Sequence, residues 1–184
     1  RSKLMSEWML ADTAKAHEFR YAALRYFNVA GADPQGRTGQ STAGATHLVK
    51  VAVETALGKR SHIEVFGTDY PTHDGTCIRD FIHIADLVSA HRLALKRLRE
   101  GGDSFTANCG YGHGYSVLDL LEAVQDAAGR SFEVRIGPRR EGDMPCVVAD
   151  PALLKRLLGW MPAHDDIAEI ATTSLAWEMA LDRR

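Results

Sequence analysis

The fold is decided by the stretch Phe66-Gly67-Thr68-Asp69-Tyr70-Pro71-Thr72-His73-Asp74-Gly75-Thr76-Cys77-Ile78-Arg79-Asp80-Phe81-Ile82-His83. Its dipeptides Tyr70-Pro71 and Asp74-Gly75 are turn signals. The segments on either side, residues 63–66 and 78–84, are rich in β-branched and aromatic side chains. The stretch therefore predicts two short strands joined by a long loop.

Arg79 lies where the second of these strands meets the loop. Arginine is well suited to binding phosphate, because its planar fork donates two parallel hydrogen bonds and keeps its charge at any working pH. A surface ion pair with Asp80 or Asp86 explains the residue equally well on spacing alone. The residues by themselves leave both interpretations open.

The run from Asp74 to Leu87, DGTCIRDFIHIADL, strongly resembles the C-terminal half of UDP-glucose 4-epimerases, which are extended short-chain dehydrogenase/reductase enzymes. In that family the matching arginine binds the UDP diphosphate, and the resemblance implies this role for Arg79. The resemblance covers essentially all 184 residues, and three other segments match the family and occur along the chain in the family's order. They are Lys3 in the first helix, Arg25-Tyr26-Phe27-Asn28, and Arg139-Arg140-Glu141-Gly142-Asp143.

Composition is ordinary for a soluble globular domain: 45% of the residues are hydrophobic, 25% are charged, and the net charge is −2. Mixed charges argue against a nucleic-acid partner. No apolar run approaches the roughly 20 residues of a membrane span, and residues 1–7 lack a signal-peptide core, so we expect a cytoplasmic protein with no membrane partner. Three scattered cysteines predict reduced thiols, with no zinc or other metal site.

The first helix is predicted over residues 2–17 and begins without a capping residue ahead of it. This abrupt start indicates a chain cut inside an element. The resemblance aligns Lys3 with the lysine of a Tyr-x-x-x-Lys motif, whose tyrosine is the family's acid/base and has its pKa lowered by that lysine. It thus implies that Lys3 is catalytic and contacts NAD, and that the amino-terminal NAD-binding half is absent. A solvated lysine fits the residue without the resemblance.

An apolar run over residues 21–31 predicts a strand buried on both faces of a parallel sheet. Ligands of such sheets bind beyond the carboxyl ends of the strands, where Phe27 and Asn28 lie. The resemblance implies that Phe27 lies by the nicotinamide of NAD and that Asn28 binds the nucleotide-sugar. From the residues alone, a core phenylalanine and a turn-forming asparagine fit as well.

A polar loop over residues 32–45 precedes a helix predicted over residues 46–57, which ends at Gly58. Many epimerases begin this helix with Asn-Asn-Leu, and this chain has Thr46-His47-Leu48. The resemblance implies that His47 and Leu48 contact the substrate. An imidazole replaces only part of an amide's hydrogen bonding, and a surface histidine is the alternative.

The strand beginning at Ile63 aligns with the family strand that holds the uracil ring. A flat base needs an apolar wall together with backbone donors and acceptors. The resemblance implies that Glu64, Val65 and Phe66 supply these. A phenylalanine in a core strand is the alternative.

Further elements are predicted downstream: a helix from Leu87 to the glycines at 101–102, strands at 104–110 and 132–136, and helices over 117–128, from 150, and over 165–181. Ser116 and Asp119 form a plausible capping box. The glycine-rich turn at 110–114 precedes a helix, but we reject it as a dinucleotide loop, because the family has a similar turn here and its cofactor loop elsewhere.

The segment that ends in Asp143 has the composition of a solvated turn. The resemblance implies a substrate contact for Arg140-Glu141-Gly142-Asp143, with Arg140 on the diphosphate and Asp143 on a ribose hydroxyl. Many relatives have a tyrosine four residues after this aspartate, where this chain has Val147. A smaller side chain enlarges the sugar pocket, so we expect tolerance of N-acetyl sugars.

The resulting fold prediction is α/β: residues 1–184 form the C-terminal part of a Rossmann-like parallel sheet together with a small α/β substrate-binding domain. The substrate-binding domain is interleaved with the sheet and takes residues 32–75 and 130–184, approximately. The resemblance implies an NAD-dependent interconversion of UDP-glucose and UDP-galactose by a homodimer when complete, with this portion inactive alone. A UDP-sugar decarboxylase or dehydratase, or a UDP-sugar-binding module without catalysis, are the alternatives.

Overall fold

Helices make up most of the regular structure in the computed structural model, which describes residues 2–183. Residues 1 and 184, the two ends of the predicted portion 1–184, lie outside the described residues. The helices are α1 Ser2–Ala16, α2 Leu48–Ala56, α3 Ile84–Arg99, α4 Val117–Ala128, α5 Ala152–Leu158 and α6 Ile167–Leu181. Three of them, α2, α4 and α6, pack against one another, while α3 and α5 pack on the strands β1 and β6.

The strands between these helices are short and mostly parallel. They are β1 Ala22–Tyr26, β2 Asn28–Ala30, β3 Ile63–Phe66, β4 Ile78–Arg79, β5 Phe81–His83, β6 Phe105–Cys109, β7 Tyr115–Ser116, β8 Val134–Gly137 and β9 Cys146–Val147. The pairs β1–β6, β2–β5, β3–β8 and β4–β9 are parallel, and β4–β7 is antiparallel. Parallel strands joined through helices confirm the predicted α/β class.

The predicted continuous strand over 21–31 is wrong in two respects. It divides at Phe27, because the chain changes partner there: the N–H of Phe27 donates to the carbonyl of Cys109 at 3.3 Å, whereas the N–H of Asn28 donates to that of Asp80 at 3.0 Å. Nor is it buried on both faces, since the side chain of Tyr26 is 51% exposed. Within residues 2–183, β1 has β6 as its strand partner, on one edge.

The predicted strand over 78–84 also divides. Asp80 separates β4 from β5, and Ile84 is the first residue of α3 rather than the end of a strand. The helix begins early because the side chain of His83 caps it, accepting a hydrogen bond from the N–H of Ala85 at 3.1 Å. The apolar run of the sequence thus spans the end of one element and the start of another.

Local signals predicted the remaining elements well. Helix α4 has the predicted bounds, with the predicted capping box between Ser116 and Asp119. The predicted helix over 2–17 corresponds to α1, although none of its residues is buried. The two-residue strands β7 and β9 were not predicted, because two residues carry no periodicity.

Two findings bear on the expectations from composition. Among residues 2–183, no helix has the length and apolar character that a membrane crossing requires. The three cysteines are unpaired thiols, of which Cys77 and Cys109 are buried and Cys146 is exposed.

Candidate functional site

Arg79 is held by backbone carbonyls rather than by the neighbouring acids. Its Nη1 donates to the carbonyl oxygens of Ile78 and Met144, both at 2.8 Å, and its Nη2 lies 3.6 Å from Oδ1 of Asp143. The ion pairs with Asp80 or Asp86 that spacing permitted are not formed. The guanidinium is therefore fixed by its surroundings and keeps part of its donor capacity for an anion.

The carboxylate of Asp80 is buried and organises the backbone beside Arg79. It accepts hydrogen bonds from the N–H groups of Tyr111 at 3.0 Å, Gly112 at 3.1 Å and Ala149 at 3.2 Å. A Cβ on Gly110 would lie 2.6 Å from Oδ2 of Asp80, so the turn approaches the carboxylate closely only because residue 110 is glycine. Two amides of this glycine-rich turn are thus taken by a carboxylate.

Asp86 has a similar structural role at the other end of β5. It accepts from the N–H groups of Ala163 at 2.8 Å and His164 at 2.9 Å, and from the hydroxyl of Tyr111 at 2.8 Å. Burial raises the pKa of Tyr111 well above its usual value, which keeps the hydroxyl protonated and available as a donor. Sequence reasoning missed the structural role of both buried acids, because Asp80 follows an arginine and the spacing of both acids also fits a surface ion pair.

Asp143 brings two of the predicted arginines together. Its carboxylate accepts from Nη2 of Arg140 at 3.1 Å and from Nε at 3.2 Å, in addition to its contact with Arg79. The Arg140 side chain is 65% exposed, whereas those of Asp143 and Arg79 are 18% and 17% exposed. Two guanidinium groups against one carboxylate leave a net charge of +1, which attracts an anion.

Phe66 lies directly beside this cluster. Its ring centroid is 5.4 Å from Cζ of Arg140, and the residue is 38% exposed. The N–H groups of Ile63 and Gly67 both donate at 3.0 Å to carbonyls at the two ends of β8, so the backbone of Glu64 and Phe66 faces the opposite edge of β3. Within residues 2–183 no strand pairs with that edge.

Four other predicted positions lie on the strand and the turn that carry the cluster. Val65 is 2% exposed and its side chain faces the core. The side chain of Glu64 lies over Gly137: a Cβ added to this glycine would be 2.4 Å from Oε1 of Glu64. Glu141 and Gly142 form the exposed tip of the turn before Asp143.

Val147 is one of the two strand neighbours of Arg79, the other being Tyr115 in β7. It is half-buried in β9 and directly opposite Arg79 in the sheet register.

Asn28 and Phe27 connect to the cluster through the backbone. Asn28 is exposed at the start of β2, and its N–H bonds to the carbonyl of Asp80, the residue after Arg79. Phe27 is half-buried between β1 and β2. Lys3 is exposed in the first turn of α1. These three positions therefore lie along the end of β1 and on the helix before it.

His47 and Leu48 lie at the beginning of α2. His47 is exposed, its side chain makes no capping hydrogen bond, and its Nδ1 is 3.4 Å from Nε2 of Gln40. It lines a cavity of about 640 Å³ together with residues of β2, α2, α3 and α6. Arg79, Arg140, Asp143 and Phe66 are not among its lining residues, so the cavity is distinct from the arginine cluster.

Among the described residues, 2–183, one group of side chains has the spacing to hold a metal ion. His73, Asp74 and Asp119 each offer a ligand atom within 4.8 Å of the others. The two carboxylates are already engaged, since Asp74 accepts from Ser116 and Thr76 and Asp119 accepts from the N–H of Ser116. Their arrangement is explained by the start of α4.

Comparison with known proteins identifies the chain. The profile of the NAD dependent epimerase/dehydratase family matches residues 1–110. A UDP-glucose 4-epimerase from Azospirillum brasilense is 50% identical over 182 residues, which are 99% of this chain and 52% of that protein. The chain therefore spans about half the length of the curated relatives it matches.

Solved structures agree with this result. A UDP-glucose 4-epimerase from Stenotrophomonas maltophila, with bound NAD and formylated UDP-arabinopyranose, has a TM-score of 0.93 at 41% identity and covers 98% of this chain and 54% of its own. The UDP-Glc/GlcNAc 4-epimerase of Campylobacter jejuni has a TM-score of 0.81 at 47% identity, over 98% of this chain and 55% of its own. These similarities confirm the Rossmann-like class predicted from the residues, and the chain belongs to the NAD dependent epimerase/dehydratase family.

Proposed function

We propose that the complete protein is an NAD-dependent UDP-glucose 4-epimerase, which interconverts UDP-glucose and UDP-galactose, and that this chain supplies the clamp for the UDP moiety. The observation that carries the proposal is the cluster of Arg79, Asp143 and Arg140 beside the ring of Phe66. The names of the relatives support the same reaction.

The clamp fits the charge of a nucleoside diphosphate. Arg79 and Arg140 each offer a planar fork of donors to the two phosphates. When Arg140 turns to the diphosphate, its hydrogen bonds to Asp143 are released and that carboxylate accepts a hydrogen bond from a ribose hydroxyl. Phe66 then provides an apolar wall for the uracil ring, and the open edge of β3 provides backbone donors and acceptors.

Anchoring at the nucleotide suits an epimerase, because the hexose must turn over between two steps at C4. The proposed contacts of His47, Leu48 and Asn28 are with the sugar and its nucleotide. The walls of the nucleotide site are completed by Glu64, Val65, Glu141 and Gly142. The strong contacts are made to UDP, so the hexose keeps its freedom of rotation. A clamp of this kind binds both sugar epimers with similar affinity.

When bound, NAD would supply hydride transfer at C4 of the sugar, with Lys3 and Phe27 beside its nicotinamide end. The glycine-rich turn at 110–114 does not fit the pyrophosphate of this cofactor, because Asp80 already takes two of its amides. We therefore assign to this chain contacts at the nicotinamide end only. Lys3 provides a positive charge beside the acid/base group, and Phe27 provides an apolar wall.

We propose three further properties of the complete protein. The first is acceptance of N-acetylated sugars, supported by the small side chain of Val147 opposite Arg79. The second is a homodimer that uses α1, whose apolar residues Leu4, Met5, Trp8 and Met9 are exposed. The third is a cytoplasmic location, supported by three unpaired cysteines.

Calorimetric titration with UDP tests the clamp. We expect the protein to bind UDP, and we expect Arg79→Ala and Arg140→Ala each to weaken binding by roughly tenfold to a hundredfold, the effect of losing a charge-assisted hydrogen bond. Arg135→Ala is the matched control, because Arg135 is an exposed arginine of β8 that pairs with Glu133. Unchanged affinity in both clamp variants would refute the proposal.

A further inference from the structure

Arg139, which the resemblance to the family leaves without a role, makes a well-defined set of contacts next to the clamp. Its Nε donates to Oδ1 of Asp69 at 2.7 Å, and its Nη2 donates to the carbonyl oxygen of the same residue at 2.5 Å. Its Cζ lies 4.3 Å from the ring centroid of Tyr70. Two hydrogen bonds and an aromatic face therefore fix this guanidinium from different directions.

The contact between Arg139 and Tyr70 depends on Gly67. A Cβ at residue 67 would lie 2.7 Å from Cγ of Arg139 and 2.9 Å from Cε2 of Tyr70. Gly67 has a φ of +84°, which glycine adopts readily, and its N–H bonds to the carbonyl of Gly137 at 3.0 Å. The ends of β3 and β8 are joined here by side chains as well as by backbone.

Arg139 and Arg140 are adjacent but serve different partners. Arg139 contacts Asp69 and Tyr70, whereas Arg140 contacts Phe66 and Asp143. The segment between β8 and β9 has no regular secondary structure apart from the turn at its tip. The direction of Arg140 therefore depends on how its neighbour is anchored.

The chemistry of this anchor requires arginine. One guanidinium supplies both donors to Asp69 and the flat face over Tyr70, and a lysine ammonium cannot supply this combination in a fixed plane. The Tyr70 hydroxyl takes no part in this anchor, because Arg139 contacts the face of the ring and the carboxylate of Asp69. Only the ring of Tyr70 is needed.

We infer that Arg139 is a positioning residue of the diphosphate clamp: by binding Asp69 and the ring of Tyr70, it holds the 138–143 turn so that Arg140 points at the phosphates. The inference rests on the proposed function, because it names what orients one of the two clamp arginines. Arg139 itself is not expected to touch the ligand.

The test compares UDP with uridine, because only UDP carries the diphosphate. We expect Arg139→Lys to weaken UDP binding by roughly tenfold while leaving uridine binding unchanged. A merely structural loss would weaken both ligands together. Tyr70→Phe is the matched control: it keeps the ring, removes a hydroxyl that Arg139 does not contact, and should bind UDP as the parent does.

A double-mutant cycle makes the assignment specific. In an Arg140→Ala background, Arg139→Lys should cause no further loss of UDP affinity, because the residue it positions is gone. Equal losses with and without Arg140 would overturn the inference, as would equal weakening of UDP and uridine. Failure of the parent to bind UDP would overturn the proposed function as well, whereas UDP binding that Arg139→Lys does not alter would overturn this inference alone.

Discussion

At the scale of single residues, the proposed acceptance of N-acetylated sugars depends on Val147. It lies opposite Arg79 in the register of β4 and β9. We expect Val147→Tyr in the complete protein to lower kcat/KM for UDP-GlcNAc relative to UDP-glucose by roughly tenfold or more, because a bulky ring excludes the N-acetyl group. Steady-state kinetics with both substrates measures this ratio.

Val147→Ala is the control for this change, since it alters the same position without reducing the space. Its ratio of kcat/KM values should stay within about threefold of the parent's, since added room excludes neither substrate. A parent enzyme that accepts UDP-glucose and rejects UDP-GlcNAc would contradict the expected tolerance directly.

The residue scale also separates what could be predicted from what could not. Arg79, Arg140, Asp143 and Phe66 lie together in the structure, and the ligand contacts that the resemblance implies for them stay predictions. The partner of Arg79 could not be predicted from spacing, since the nearer acid, Asp80, turns inward to bind backbone amides. A buried acid that serves the backbone and a surface acid that serves an arginine look the same in sequence.

At the scale of elements, helix α4 depends on a buried cap. The Ser116 hydroxyl accepts from the N–H of Asp119 at 2.9 Å and donates to Asp74 at 2.5 Å. Ser116→Ala should lower the free energy of unfolding by about 1–3 kcal/mol, because both bonds are lost inside the protein. Urea unfolding at pH 7 measures the change.

The cap of α6 provides a matched control. Asp166 accepts from the N–H of Ala168 at 2.9 Å but is exposed, so Asp166→Ala should lower the free energy of unfolding by about 1 kcal/mol or less.

Burial alone would raise the pKa of Asp74, but hydrogen bonds from Ser116 and Thr76 hold it below the usual 3.8. That stabilisation is present above pH 3.8 and is lost in stronger acid, so the penalty of Ser116→Ala should shrink there. Equal losses in the two variants would contradict this account.

The elements that sequence predicted well are those with local determinants. The capping box set the start of α4, and Gly129, with a φ of +63°, marks its end. The division of residues 21–31 into β1 and β2 was not predictable in this way. It arises because two distant strands, β6 and β5, each take part of the run.

At the scale of the whole molecule, a network of charges joins α2 to α6. Lys50 donates to Glu178 at 2.5 Å and lies 3.3 Å from Glu54, while Lys59 bonds to Glu178 at 2.7 Å and to Asp182 at 2.6 Å. The side chains of Lys50 and Glu178 are only 8% and 4% exposed. Residues more than a hundred positions apart thus hold the helix that begins at the predicted ligand contacts.

Breaking this network should be costly. Glu178→Gln leaves the buried ammonium of Lys50 without its main partner, and we expect a loss of about 3–5 kcal/mol in the free energy of unfolding. Asp182→Asn, which removes an exposed partner of Lys59, should lower the free energy of unfolding by about 1 kcal/mol or less. Replacing both Lys50 and Glu178 by Met should restore most of the stability, because no buried charge is then unpaired. Urea unfolding at pH 7 compares the four proteins.

The pH dependence of the same variants tests whether charge, rather than packing, is responsible. Burial alone would lower the pKa of Lys59, but hydrogen bonds to Asp182 and Glu178 outweigh it and raise the pKa above 10.5. Its stabilisation is complete below pH 10.5 and is lost as the pH rises through the folded-state value. The difference between the parent and Glu178→Gln should therefore stay constant from about pH 6 to 9 and narrow above about pH 10.5. A difference that is unchanged at high pH would mean that Glu178 acts through its shape rather than through its charge.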